Sequence, residues 1–392
     1  VHGMRWSYRC PSCGAEYKIE PGRYLCDVCA PKRGKDMPLE GVLECAWELE
    51  GLEPYPQGTP LPVEREWFPK VPVGDTPLWA PERLRSELGY GRLFVKDDTC
   101  QPTGSYKDRA SFLVAAFARK HGIKEIALAS TGNAASSMAG IGAAAGLKIT
   151  VFLPKAAPAA KRLQVLQYGA ELRQVEGNYD QAFEESLAYS QATGVLSRNT
   201  AYNPLTIEGK KTAAFEIVKD LRRSGESAGE RPLEVFVPSG DGVILTGLIR
   251  GFEDLIRLGR IGSMPRFWAC QAEGSSALAR ALAAGSFGKP VPSSTLADSI
   301  AVDVPRNGAY ALSKLKKYGG RAVVVSDEEI LAAQRLLSSR AGLFAEPSSS
   351  SALAGFLKAK EEIDPSSTVV LLVTGSGLKD LRSAALAVGV EL

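Results

Sequence analysis

The sequence predicts an α/β protein with mainly parallel sheets, preceded by a small cysteine ribbon. Three observations carry this expectation. Apolar runs alternate with long helical stretches from about Leu93 onward, two Cys-x2-Cys pairs stand near the N-terminus, and a proline-rich stretch, Glu53–Pro81, separates the two regions. Alternating strands and helices at this spacing build layered α/β sheets. The chain has 392 residues, 45% hydrophobic and 23% charged, which argues against a disordered or fibrous protein. Its length suggests two or three domains. With 47 Lys+Arg against 44 Asp+Glu the net charge is +3, so no nucleic-acid partner is expected. No membrane partner is expected either, since no apolar run approaches the roughly 18 residues of a span. No secretory signal is read at the N-terminus, and Val1-His2-Gly3 ahead of Met4 are assigned no role. The cytoplasm is the expected location.

The elements follow in chain order. Cys10-x2-Cys13 and Cys26-x2-Cys29, with twelve residues between the pairs, have the spacing of a four-thiolate zinc ribbon. A metal-free ribbon and disulfides formed on oxidation remain the alternatives. The basic cluster Lys32-Arg33-Lys35 is short and reads as solvated, while Cys45, Cys100 and Cys270 stand alone and read as buried or incidental. The prolines of Glu53–Pro81 predict an extended arm. Leu93–Lys96 is a short apolar run and reads as a strand. Ser105–His121 places Phe112, Leu113, Ala116 and Phe117 on one helical face. Strand Glu125–Ala129, the small-residue helix Asn133–Ala145 and strand Lys148–Leu153 come next. Helix Ala159–Tyr168, strand Glu171–Val175 and helix Tyr179–Ala192 continue the alternation. Helix Gly209–Lys219, strand Glu234–Val237, helix Thr246–Leu258 and strand Arg266–Ala272 follow. Helices Asp327–Ser338 and Ser350–Ala359 and strand Thr368–Val373 close the chain.

Ligands of open α/β sheets sit beyond the carboxyl ends of strands, and four polar loops fall at such ends. In Gln101–Arg109, Ser105 is expected to cap the following helix and Lys107 lies in its first turn. Positive helix-end amides beside an amine lower its pKa, which suits addition to an aldehyde carbonyl. Ser130-Thr131-Gly132-Asn133 opens a helix with free amides and hydroxyls, a pocket for a carboxylate. In Pro238–Ile244, between strand and helix, small residues let backbone N–H groups close on a phosphate. Asp241 is expected to turn away and bond loop amides. Thr374, in Val373–Lys379, offers a hydroxyl to a heterocyclic nitrogen. An amine, a carboxylate pocket, a phosphate cradle and a ring-nitrogen partner are the parts of a pyridoxal-phosphate site.

On these residues the chain resembles the threonine synthases, within the tryptophan synthase β-like (fold type II) group of pyridoxal-phosphate enzymes. Pro102–Arg109 is similar to that family's cofactor-lysine motif, and Ser130–Asn133 to its substrate-carboxylate loop. Ser239–Ile244 stands at its phosphate loop and Thr374 at its pyridine-nitrogen position. Asn203-Pro204, Glu208-Gly209-Lys210-Lys211-Thr212 and Glu346-Pro347 also match, and the likeness runs from about Val73 to Leu381. The resemblance implies that Lys107 carries the cofactor and acts as catalytic base, and that Asn133 bonds the phenolic oxygen. It also implies that Gly240–Ile244 hold the phosphate, that Thr374 meets the ring nitrogen, and that Ser130, Thr131, Gly132 and Asn133 bind the substrate. Zinc on Cys10, Cys13, Cys26 and Cys29 is a further implied ligand.

The implied architecture is two open α/β domains with the cofactor in the cleft. Residues 1–50 form the ribbon-like segment, 51–109 and 201–392 the large cofactor domain, and 110–200 a small mobile domain. A homodimer is expected by resemblance alone. The implied reaction converts O-phospho-L-homoserine and water to L-threonine and phosphate. A threonine/serine ammonia-lyase or a cysteate synthase-like β-replacement on O-phosphoserine is the alternative, with Ala297–Val302 suited to a dehydratase-like loop. A cofactor-bound binding module is a third class.

Two departures stand out. The family commonly carries Gly-Asn-Ala-Gly-Asn in the phosphate loop, where this chain has Gly240-Asp241-Gly242-Val243-Ile244. It also commonly carries an arginine where this chain has Thr206. Loss of a bidentate cation from a phosphate site is not conservative. Arg198, Arg162, Lys161 and Arg306 are the candidates to replace it.

Overall fold

A computed structural model describes residues 4–49, 58–155, 159–177, 179–226 and 231–391. The first part of the proline arm, with Glu53, Pro54 and Pro56, lies outside the described residues, as do the side chain of Lys161 and residues 1–3. Two compact units divide the chain. The first comprises Val1–Arg33, Leu39–Gly74 and Gln101–Lys210; the second comprises Gly34–Pro38, Asp75–Cys100 and Lys211–Leu392. Neither is a continuous segment, and the expected segments 1–50 and 110–200 both fall mainly in the first.

The first unit holds two sheets. Met4–Arg9 lies between Glu16–Tyr17 and Glu44–Leu49 in an antiparallel sheet. The second sheet has four parallel strands in the order Glu171–Val175, Lys148–Pro154, Glu125–Ala129, Leu196–Ser197. Helices Lys107–Lys120, Asn133–Ala145, Ala159–Gln167 and Tyr179–Thr193 accompany it. The ribbon has little core of its own and shares this one. Tyr8, Cys10, Cys26, Leu43 and Cys45 are buried in one cluster with Leu113, Val114 and Phe117 of the Lys107 helix. Tyr24 adds a polar tie, its hydroxyl accepting the Ser197 N–H at 2.8 Å.

The second unit is built on a six-stranded sheet ordered Arg321–Val325, Arg266–Ala272, Leu233–Pro238, Thr368–Val373, Leu93–Asp97, Leu78–Trp79. Every pairing is parallel except the last. Strand Thr368–Val373 is buried along its whole length, as a sheet covered on both faces requires, and its sequence is accordingly a continuous apolar run. Leu93 pairs with Val369, so this sheet joins chain positions far apart.

Sequence reading passed over several elements. They include strands Met4–Arg9, Glu44–Leu49, Leu78–Trp79 and Arg321–Val325 and helices Glu82–Leu88, Ala277–Ala284, Gly308–Lys317 and Leu381–Val388. Four helices also begin elsewhere than expected: those expected from Gly209 and Ser350 start at Thr212 and Pro347. The lysine-bearing helix starts at Lys107 rather than Ser105, and the helix after the glycine loop starts at Val243 rather than Thr246.

Candidate functional site

In the first unit, the turn before Lys107 is fastened from inside. The Gly104 N–H reaches the Gln101 carbonyl at 2.8 Å. The buried Asp108 carboxylate accepts the Thr103 N–H at 2.7 Å and the Thr103 hydroxyl at 2.5 Å. Lys107 is therefore the first residue of a helix whose start is fixed, and it is half-buried. Ser105 does not cap this helix. The N-cap position is Tyr106, without a side-chain cap, and the Ser105 hydroxyl is 1% exposed with no hydrogen-bond partner among the described residues. The Tyr106 hydroxyl donates to the Lys210 carbonyl at 2.8 Å. Gly209 explains the Glu-Gly pair, because a β carbon there would stand 2.4 Å from the Arg109 carbonyl oxygen.

Ser130, Thr131 and Gly132 leave the carboxyl end of strand Glu125–Ala129 and open helix Asn133–Ala145. The Ser130 hydroxyl accepts the N–H groups of Gly132 at 3.2 Å and Ala135 at 3.3 Å, curling the turn over the helix start. A β carbon on Gly132 would meet nothing within 4 Å, so open space faces this backbone. Asn133 is the first residue of the helix.

In the second unit, the loop after strand Leu233–Pro238 is close-packed from behind. A β carbon on Gly240 would lie 2.9 Å from the Ile300 Cα, and one on Gly242 would lie 2.6 Å from the Ala311 Cβ. Gly242 has φ +79° and immediately precedes helix Val243–Arg257. Among the described residues, none of the five N–H groups from Gly240 to Ile244 donates to a protein acceptor. Asp241 does turn to an amide, but on another loop: its carboxylate accepts the Arg306 N–H at 3.0 Å. Thr374, 6% exposed, ends strand Thr368–Val373. Its hydroxyl lies 2.9 Å from that of Ser349, which also accepts the Thr374 N–H at 3.1 Å. Ser349 was missed in the sequence; the signal was the serine run Ser348–Ser351 behind Glu346-Pro347. The Glu346 carboxylate would sit 2.5 Å from a β carbon on Gly375.

Pyridoxal phosphate fits these residues. A row of unpartnered amides before a 15-residue helix, on glycines whose rear faces are filled, is a cradle for a phosphate dianion. Each unit presents its own share of the groups: Lys107 and Ser130–Asn133 in the first, Gly240–Ile244 and Thr374 in the second.

The four ribbon sulfurs, from Cys10, Cys13, Cys26 and Cys29, all lie within 4.8 Å of one another. The two turns are alike: the Gly14 N–H reaches the Cys10 carbonyl at 2.8 Å and the Ala30 N–H the Cys26 carbonyl at 2.9 Å. Burial pushes the Cys26 thiol up, but the Tyr17 hydroxyl at 3.3 Å and the Cys29 and Val28 amides outweigh it and bring it down to about 6. Burial, then the sulfurs of Cys13 and Cys10, push Cys29 up to about 12. Crowded thiols resisting a second negative charge are what a tetrahedral dication relieves.

Comparison with known proteins completes the picture. Residues 70–375 match the family described as pyridoxal-phosphate dependent enzyme. Threonine synthase of Methanocaldococcus jannaschii is 32% identical, over 96% of this chain and 93% of its own. Threonine synthase of Halalkalibacterium halodurans is 36% identical, over 83% of this chain and 88% of its own. Among solved structures, the T.th. threonine deaminase superposes with a TM-score of 0.67 at 26% identity, covering 77% of this chain and 92% of that one.

Proposed function

The chain belongs to the threonine synthase family of pyridoxal-phosphate-dependent enzymes, and from that premise we propose that it converts O-phospho-L-homoserine and water to L-threonine and phosphate. The observation that carries the reading is the run of unpartnered amides at Gly240–Ile244, on a chain whose family supplies the group they suit. When bound, pyridoxal phosphate draws electrons from the α carbon of an amino acid and so makes its α proton removable. In this reading Lys107 holds the cofactor through its amine, Asn133 bonds its phenolic oxygen, and the Gly240–Ile244 amides hold its phosphate. The Thr374 hydroxyl, backed by Ser349, meets the ring nitrogen. A hydroxyl there leaves that nitrogen largely unprotonated, which favours elimination and addition over long-lived carbanions. Ser130, Thr131, Gly132 and Asn133 receive the substrate carboxylate. The freed Lys107 amine takes the α proton as general base and a Cβ proton follows, so that phosphate leaves from Cγ; a proton returns to Cγ, water adds at Cβ and Cα is reprotonated, with Lys107 or the released phosphate relaying the protons.

Lys107→Ala tests the assignment. It is expected to lose the visible absorbance of the bound cofactor and all turnover; retained turnover would refute it.

A second reading, a threonine or serine ammonia-lyase or a β-replacement on O-phosphoserine, is favoured by one feature: Thr206 stands where a phosphate-gripping arginine is common in the family. Assaying phosphate release against ammonia and 2-oxo acid release separates the two.

The reading extends to the rest of the molecule. Cys10, Cys13, Cys26 and Cys29 hold a structural zinc ion, supported by the clustering of their sulfurs. The enzyme works in the cytoplasm, where its free thiols stay reduced; no helix among the described residues is long and apolar enough to cross a membrane. It forms a homodimer, in keeping with the exposed apolar side chains of Leu378, Leu381, Leu386 and Val388. Light scattering at twice 41.8 kDa is the expected result.

A further inference from the structure

Arg198 is 0% exposed, yet it makes no ion pair with a carboxylate among the described residues. Its Nη1 donates to the Thr200 hydroxyl at 2.8 Å and its Nε to the Ser111 hydroxyl at 3.4 Å. Its Nη2 is buried with no hydrogen-bond partner among the described residues. Burial pushes this guanidinium down to about 10. Tyr179 and the Asp108 carboxylate pull the other way from a distance but do not outweigh burial, and a charge taken out of water with no carboxylate in contact is costly to hold.

Its surroundings are those of an anion. Ser111 lies one turn into the helix that begins at Lys107, and its hydroxyl is 2.7 Å from that of Ser137, one turn into the helix that begins at Asn133. The buried cation thus reaches the first turns of two helices whose amino ends are positive. Thr206, by contrast, is spent on its own loop. Its hydroxyl donates to the Asn203 carbonyl at 2.7 Å and accepts the Ala201 N–H at 3.1 Å. Ala201 is held at φ +67°, a strained conformation for a residue with a β carbon.

We propose that Arg198 is the cation that binds the leaving phosphate of the substrate, doing from the start of this loop what Thr206 cannot do from its end. This rests on the reading above that the substrate carries a phosphate. Of the other candidates, Arg162 is only half-buried. A bidentate guanidinium matches two phosphate oxygens.

The test uses the holoenzyme and its Arg198→Met and Arg198→Lys variants. Three quantities are read: kinetics with O-phospho-L-homoserine, calorimetric binding of inorganic phosphate, and cofactor absorbance with the thermal midpoint. Arg198→Met is expected to raise KM and weaken inorganic phosphate binding together, by roughly 10- to 100-fold, the worth of a charged hydrogen bond. Cofactor absorbance should not change, and Arg198→Lys should recover part of the loss. Unchanged phosphate binding in a folded Arg198→Met variant overturns the proposal. So does a fallen thermal midpoint with equal loss on phosphorylated and unphosphorylated amino acids, in which case Arg198 is a strut. If Arg198→Met does not fold, Arg198→Lys decides alone: unaltered phosphate affinity with unaltered KM overturns the proposal, and a paired loss supports it. Should the native enzyme ignore O-phospho-L-homoserine, the proposed reaction fails while the phosphate titration still judges Arg198.

Discussion

Gly240 leaves no room for a β carbon against the Ile300 backbone. Gly240→Ala must move one of these two backbone segments, and overpacking of this kind costs about 1–3 kcal/mol. The cost falls on the cradle, so the variant should retain fold but release cofactor at least tenfold more readily, measured by dialysis and visible absorbance. Thr374→Val keeps the shape and removes the hydroxyl that Ser349 steadies. It should lower kcat with little change in cofactor content, and a shifted absorbance band would report the altered ring environment. At this scale, the expected positions of Lys107 and Asn133 at helix starts and Thr374 at a strand end match the structure, because short motifs tie each to such a place. Ser349 and the Asp241 partner Arg306 were not readable, since each contact joins segments brought together only by the fold. The idle Ser105 hydroxyl was misread as a cap because Asp108 fastens the turn instead.

Helix Val243–Arg257 carries the cradle at its start and Glu253 near its end. Burial would raise the Glu253 carboxyl, but the Arg250 and Lys314 cations and the Tyr318 hydroxyl outweigh it and hold it below the usual carboxylate range. Lys314 lies 2.7 Å away on helix Gly308–Lys317, whose Ala311 packs behind Gly242. Because the folded-state pKa is depressed, this stabilisation is present above the unfolded value and is lost as pH falls through the folded one. Glu253→Gln should therefore lose about 2 kcal/mol at neutral pH, and the deficit should shrink on acidification. Denaturant midpoints at several pH values measure it. The ribbon invites a parallel experiment. A strong chelator, or Cys26→Ser, should lower the thermal midpoint and loosen amide-exchange protection in the Lys107 helix, because both share one core. Element types were legible where strands and helices alternate regularly: Glu125–Ala129, Asn133–Ala145, Glu171–Val175, Arg266–Ala272 and Thr368–Val373 hold their expected bounds. Pieces flanked by glycine or rich in lysine escaped. Arg321–Val325 is five residues behind two glycines, and Gly308–Lys317 opens on glycine and ends in charge.

At the scale of the whole molecule, the alternating α/β class was legible because the four- and six-stranded sheets are parallel at their centres and each parallel step needs a helical crossover. The division into units was less so. Three chain segments make each unit, and no change of composition marks where the chain leaves one for the other at Arg33, Pro38, Gly74, Cys100 and Lys210. The pairing of Leu93 with Val369 has a consequence for biosynthesis. A ribosome delivers the Leu93–Asp97 strand early and its parallel neighbour almost last, so one hydrogen-bonding edge stays open through most of translation. Nascent chains stalled before Thr368 should be protease-sensitive and dependent on chaperones, whereas the finished polypeptide closes its sheet only after release.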